Sequence, residues 1–504
     1  MIASMSVSTA FLPATRLVRA GMSIRLGAPA GECSAIVALV PMLLAVALWN
    51  RFPLIYYDTG AYVLEGLGGH FVVERSPVYS LFLRLTGAGY SLWTIVVLQA
   101  IATAFIMVEC ARSVAPRMTL ASFIALCTGL VVATGIPWYV GEVEPDCFAA
   151  IAVLAVYLVA LRGATLGPAR ARMVIALGGL AAAAHASHLL LATSLLLSLA
   201  VYLGLCRFAK VGAKWPRPNL LMPASMIAIA IALVVSSNFC FTRQIFVSRA
   251  GPQFLFARLL QDRIVTRLLD ETCPQSGYRL CAYKDVLPPS ANAWLWAPYS
   301  PFFKLGSFEG TRAESEKIIA DSFARYPLLN VEMALVDAAQ QFVSFKTGDQ
   351  VEPQQWALRP TFTHLLPSQM GAYLSARQQQ GLIGFRLVNS VHVPFGYLSL
   401  FALVILLCVT IRSAQRDATM FLALVLMALL GNALICGALS NPHDRYQSRL
   451  IWIAFFAVIL VVAAGSAKWN FMLRKSANRS IPIPSQLSED ERLNLLAGAD
   501  RIRH

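Results

Sequence analysis

The chain has 504 residues, 57% of them hydrophobic and only 13% charged, with a mean hydropathy of +0.63. That balance excludes an ordinary soluble globular protein and points to an integral membrane protein. A formal charge of +15 would suit a nucleic-acid partner. Here, however, the lysines and arginines gather at the ends of apolar runs, where they read as topology signals and contacts to anionic membrane lipids, so no nucleic acid is expected.

Residues 1–33 carry Arg16, Arg19 and Arg25 and read as a cytoplasmic tail without a cleavable signal. A transmembrane module is expected over 34–242. Its first span is 34–50. Two pieces near 60–70 and 78–86 are too short to cross and are predicted to lie at the outer interface. Spans follow at 89–110, 118–136 and 146–161. The apolar stretch 173–205 is long for one crossing and short for two, with His185 and His188 in its middle and basic residues on both flanks. It is therefore predicted to make two short crossings with the histidines at the outer turn. A further span covers 219–241.

Residues 243–387 contain no segment resembling a span and are expected to form a mainly helical periplasmic insertion, with helices near 253–270, 311–324 and 328–345. Cys273 and Cys281 lie close together in polar sequence and are predicted to pair in an oxidising compartment. The other eight of the ten cysteines are mostly scattered in apolar runs. Spans at 388–410, 418–438 and 450–465 complete the membrane domain, and 466–504 is read as a second cytoplasmic tail. The expected fold is an all-α polytopic bundle of about ten spans, with both termini inside and nearly all basic turns on one side.

This topology brings the unusual polar residues to one face. Asp58 lies in Pro53-Leu-Ile-Tyr-Tyr-Asp58-Thr-Gly-Ala-Tyr62, just past the first span, where it could cap a helix or accept a proton from a substrate hydroxyl. Thr59 would cap that helix equally well, which favours the catalytic role. Glu142, Glu144 and Asp146 either form the polar tip of a hairpin or bind an acceptor; a divalent cation such as Mg or Mn is a candidate at Glu144 and Asp146, although the spacing matches neither an EF-hand nor a zinc motif. His185 and His188, three apart, share a helix face, and Arg445 and Arg449 are four apart. With Arg75 and Arg243 they make a candidate phosphate-binding set, the alternatives being packing for the histidines and headgroup contacts for the arginines. His443 and Asp444 fall on the same boundary.

The pattern resembles the C-type integral membrane glycosyltransferases, the GT-C fold. The similar features are a first-loop acid (Asp58), a proline and aromatic turn after it (Arg75-Ser-Pro-Val-Tyr79), a Glu144-Pro-Asp146 turn before an apolar span, and a broken helix pair at His185 to His188. The resemblance covers approximately residues 34–241. It departs from the family in having one first-loop acid where many members have two, and histidine where lysine is common. It implies an enzyme of the bacterial inner membrane, with its site on the periplasmic side, that takes a sugar from a polyprenyl phosphate carrier. The sugar would pass to a glycan, lipid or protein acceptor with inversion. Asp58 would be the base, and Glu144 or Asp146 would bind metal or acceptor. Two rivals remain at this level: a lipid or polysaccharide transporter, and a non-catalytic assembly protein.

Overall fold

Inside a bilayer no water can satisfy backbone N–H and C=O groups, so apolar runs close their own hydrogen bonds as helices. The computed structural model describes residues 24–208 and 215–477, and for 355–357 and 466–477 the backbone alone. The tail readings over 1–23 and 478–504 lie outside the described residues. Seven helices are long and apolar enough to cross a membrane, so the protein is a multi-pass, all-helical membrane protein. Among the described residues β-pairing is limited to isolated bridges.

Helix α1 (Pro29–Leu43) continues through a short second piece to Asn50. Two short helices follow, α2 (Tyr57–Gly66) and α3 (Pro77–Leu85). The bundle then runs through α4 (Trp93–Val114), α5 (Leu120–Ala133), α6 (Cys147–Leu161), α7 (Pro168–Ala183), α8 (Ala186–Phe208) and α9 (Leu221–Thr242). After the insertion come α13 (Phe385–Arg412), α14 (Arg416–Leu439) and α15 (Asp444–Ala477). Of these, α5 and α6 are short apolar helices.

The histidine-bearing stretch breaks at Ala184-His185, and its two helices are unequal, with 16 residues in α7 and 23 in α8. The second is therefore a full-length helix, because the apolar run extends past Leu205. The two run antiparallel. Ser76 Oγ donates to Ala183 O at the upper end, the end that holds Asp58, whereas Tyr202 Oη donates to Pro216 O near the lower end. Asn219 N–H donates to Ala160 O at that same lower end.

Residues 24–33 are not a free tail. Leu26 is buried with its N–H donating to Met118 O, and α1 begins at Pro29. The reason lies in Glu32, which sits 2.8 Å from Arg112 and 2.7 Å from Arg170. Those arginines also reach Glu109, at 2.9 and 2.6 Å, so two acids and two bases tie α1, α4 and α7 together.

The insertion has its own apolar core, including Phe256, Leu268, Trp294 and Phe302. Its main helices are α10 (Gly251–Gln261), α11 (Ser307–Arg325) and α12 (Pro327–Val343). Cys273 and Cys281 form a disulfide. The insertion also holds the loop that leads to Asp58. Gln378 accepts from Ile55 N–H at 3.0 Å, donates to Ile55 O at 2.6 Å, and its N–H bonds Asn50 Oδ1 at 2.7 Å.

Candidate functional site

Two loops that the sequence separates by nearly ninety positions are stitched together by backbone pairing. Leu54 N–H donates to Gly141 O and Val143 N–H to Leu54 O, both at 2.9 Å. Gln99 of α4 steadies the second loop by donating to Val140 O and Glu142 O. Thr59 locks the first loop from inside: its Oγ1 accepts the Tyr56 N–H at 3.0 Å and donates to Val143 O at 3.0 Å. Thr59 thus takes the capping task at the start of α2, and the Asp58 carboxylate turns away to bond Arg75.

The second partner of Asp58 is Arg445, with Nη1 3.5 Å from Oδ2. Arg445 also approaches Glu144 at 3.9 Å and pairs with Asp146 at 2.7 Å. Its guanidinium lies over the Tyr56 ring at 4.1 Å, a contact that holds a cation in place. Arg449, one turn further along α15, pairs with the other Asp146 oxygen at 2.8 Å and donates to Ser187 Oγ at 3.0 Å. Asp146 makes no side-chain bond to the helix it precedes, so its role is to fix the two arginines and not to cap α6.

The resulting row alternates in sign: Arg75, Asp58, Arg445, Asp146, Arg449. Burial, with Asp58 next in weight, holds the Glu144 carboxyl well above the usual carboxylate range against the pull of Arg445. Burial and then Asp146 push Glu142 up to about 8. Glu142 Oε1, Glu144 Oε2 and Arg75 Nε are buried without a hydrogen-bond partner among the described residues. Buried polar atoms left without a partner from the chain call for one from outside it, a water, an ion or a ligand.

A cavity of about 480 Å³ opens over Asp58, Arg75, His185 and Arg445. Its walls are mixed in origin. Leu189 and Leu190 of α8, Val234 of α9 and Ile435 and Leu439 of α14 come from membrane helices, whereas Phe254 and Leu255 of α10 and Ile319 of α11 come from the insertion. A larger cavity, about 640 Å³, lies at the lower end among Arg162, Arg416 and Asp417. The smaller one is the candidate site because the buried ionisable groups converge there.

Of the residues singled out in the sequence, Asp58, Arg75, His185 and Arg445 line this cavity, and Glu144 and Asp146 stand directly behind them. Three are placed differently. His188 is wholly buried, its Nδ1 3.2 Å from Ala181 O, and it is absent from the cavity lining, so it closes the α7–α8 turn. Arg449 is equally buried and absent from the cavity lining, which it meets through Ser187 at 3.0 Å and Cys436 at 3.8 Å. Arg243 is exposed at the end of α9, with its guanidinium beside the Phe239 ring, and joins no part of the row. His185 spends one ring nitrogen on the Ser187 N–H at 3.2 Å, capping α8, and still faces the cavity.

The structure adds residues that sequence reasoning passed over. Asp349, from the insertion, sits 3.2 Å from His443 and accepts the Arg445 N–H at 3.3 Å. Tyr56 supplies the ring under Arg445, and the adjacency of Tyr56 to Asp58 was its only signal. As a metal centre the acids fit poorly: both Asp146 oxygens face arginines, and a cation between Glu144 and Asp146 would meet the Arg445 guanidinium. Among the described residues no group of three or more His, Cys, Asp or Glu side chains is arranged to hold a metal. No family model, curated protein or solved structure matches the chain.

Proposed function

We propose that the protein is a membrane glycosyltransferase that uses a sugar carried on a polyprenyl phosphate. The observation that supports this reading most directly is the junction at Asp58, where a cavity walled by membrane helices ends on two arginines and a carboxylate. Such a shape suits a lipid with a phosphate head: the apolar chain lies against α8, α9 and α14, and the phosphate takes the forked donors of Arg75 and Arg445.

In that arrangement the phosphate oxygens compete with Asp58 for the same guanidinium groups. Donor binding draws Arg75 and Arg445 towards the phosphate and leaves Asp58 free to take the proton of an acceptor hydroxyl. The acceptor oxygen then forms a bond to the anomeric carbon as the carbon–oxygen bond to phosphate breaks, inverting that carbon. The electron pair leaves on the carrier phosphate, whose added charge the arginines stabilise. The acceptor enters from the insertion side, past Phe254 and Ile319. No step requires a metal.

The test is lipid-linked sugar profiling of membranes with and without the protein, repeated with Asp58→Asn. One carrier species should accumulate when the protein is absent and also when Asp58→Asn replaces it at normal membrane abundance. Unchanged carrier pools in both would exclude sugar transfer and leave transport or assembly.

A further inference from the structure

Helix α12 packs Leu329 and Met333 against the core of the insertion, but its fully buried positions are polar and its outer side is apolar. The residues it buries are Asn330, Asp337 and Gln341, whereas Leu328, Val331 and Leu335 are 83%, 55% and 59% exposed. At about 100° per residue, positions 328, 331, 335 and 339 fall on one side of the helix and 330, 337 and 341 on the other. The buried side is served by protein. Asn330 Nδ2 donates to Ser322 O and Tyr326 O at 3.1 and 2.9 Å. Gln341 exchanges two bonds with the His443 backbone at 2.8 and 2.9 Å, and Asp337 lies 4.0 Å from Arg258. A helix on the surface of an aqueous domain shows the reverse pattern. Polar groups turned inward and apolar groups turned outward are what contact with lipid selects.

What α12 rests on shows the depth at which it lies. Its backbone is seated on Gly437 of α14, where an added Cβ would come within 2.6 Å of Asp337 O. Leu434 and Leu430, three and seven residues earlier on that face of α14, are exposed apolar side chains on a helix long enough to span a bilayer. Helix α12 therefore continues the outward-facing apolar stripe of α14 at its upper end. Tyr397 of α13 is half exposed and donates its hydroxyl to Val343 O at 3.3 Å, as tyrosines do at membrane–water interfaces. One carboxylate, Glu332, is exposed within the stripe. It excludes hydrocarbon depth and fits the level of the headgroups.

We infer that α12 is an interfacial membrane helix whose Leu328, Val331 and Leu335 stripe sits in the headgroup–acyl boundary of a phospholipid bilayer. The insertion is therefore tethered to the membrane surface and does not stand free in water. The same helix reaches α10 through Asp337 and Arg258, and α10 supplies Phe254 and Leu255 to the cavity. The tether thus fixes the insertion-side wall of the cavity at the lipid boundary. None of this depends on the chemistry assigned to Asp58.

The test uses the full chain in nanodiscs of phosphatidylethanolamine and phosphatidylglycerol, with benzoylphenylalanine placed at Val331 or Leu335 and, as a control, at the exposed Asp285. Phospholipid adducts at 331 and 335 should exceed those at 285 by about tenfold. Crosslinks to a second copy of the chain, or lipid adducts no more abundant than at 285, would overturn the inference. Hydroxyl-radical footprinting of the unsubstituted chain in the same discs gives an independent reading. Leu328, Val331 and Leu335 should be oxidised far more slowly, relative to their intrinsic reactivity, than Val286, an exposed apolar side chain elsewhere on the insertion, and equal rates would also overturn it.

Discussion

Asp58 and Arg445 are 387 positions apart in the chain and 3.5 Å apart in space. The carboxylate is one link in a row whose other acid, Asp146, is held from both sides by arginine, and of the two it is the one that lines the cavity, together with Glu74 and Glu316 from outside the row. Replacing it should therefore affect chemistry more than folding. Asp58→Asn is expected to accumulate normally and to lose about 10²–10⁴-fold in sugar transfer, the usual cost of removing a general base. Transfer within a few-fold of the parent would remove Asp58 from that role.

Arg75 tests the phosphate contact. Lysine keeps the charge and gives up the planar fork. Arg75→Lys should raise KM for the lipid-linked donor by roughly tenfold, about 1.4 kcal/mol of binding, with a much smaller change in kcat. A fall in kcat at constant KM would instead place Arg75 on the leaving group alone.

How much of this was legible in the sequence depends on what each residue type reports. The membrane-crossing character was readable because long apolar runs with basic ends can do little but cross, and seven helices are long and apolar enough to do so; the break at His185 was readable because the run was too long. The grouping of Asp58, Glu144, Asp146 and Arg445 followed from topology, since all four fall at the same ends of helices. Side-chain direction did not follow. His188 and Arg449 share helix faces with His185 and Arg445 but point into the protein, and one turn of helix is enough to exchange a cavity for a core. Arg243 was grouped by height alone. Asp349 was hidden because the insertion carries no periodic signal that ties it to α15, and a helix predicted near 328–345 carried no signal of which side its polar residues would face.

The Asp146–Arg449 pair predicts a different kind of failure. Both side chains are fully buried. Arg449→Ala would leave Asp146 with Arg445 only and Ser187 without its donor, at a cost of about 3–5 kcal/mol. The expected result is loss of folded protein from the membrane, read by fluorescence size-exclusion chromatography, and not a stable but inactive enzyme. Normal abundance with normal thermal stability would show that Arg445 alone can neutralise Asp146.

Because the acids of this site face arginines, transfer should survive chelation. Membranes treated with EDTA are expected to retain activity within about twofold. Activity that disappears and returns with Mg or Mn would place a cation between Glu144 and Asp146 and displace Arg445 from them.

The contact between α10 and α12 should depend on pH. Arg258 is buried and faces two carboxylates, Asp262 at 2.6 Å and Asp337 at 4.0 Å. Burial, followed by the charge of Asp262, pushes Asp337 up to about 7, with Arg258 opposing. The folded chain therefore keeps a proton that an unfolded aspartate releases near pH 4. The stabilisation from that proton is complete below the unfolded value and is lost as pH rises towards 7. Hydrogen exchange of residues 253–262 and 330–341, corrected for intrinsic rates, should show weaker protection at pH 8 than at pH 5.5. Asp337→Asn keeps the shape without the charge and should make the two conditions alike. Protection that strengthens with pH in the parent chain would mean that Arg258 neutralises both acids and that no proton is held between them.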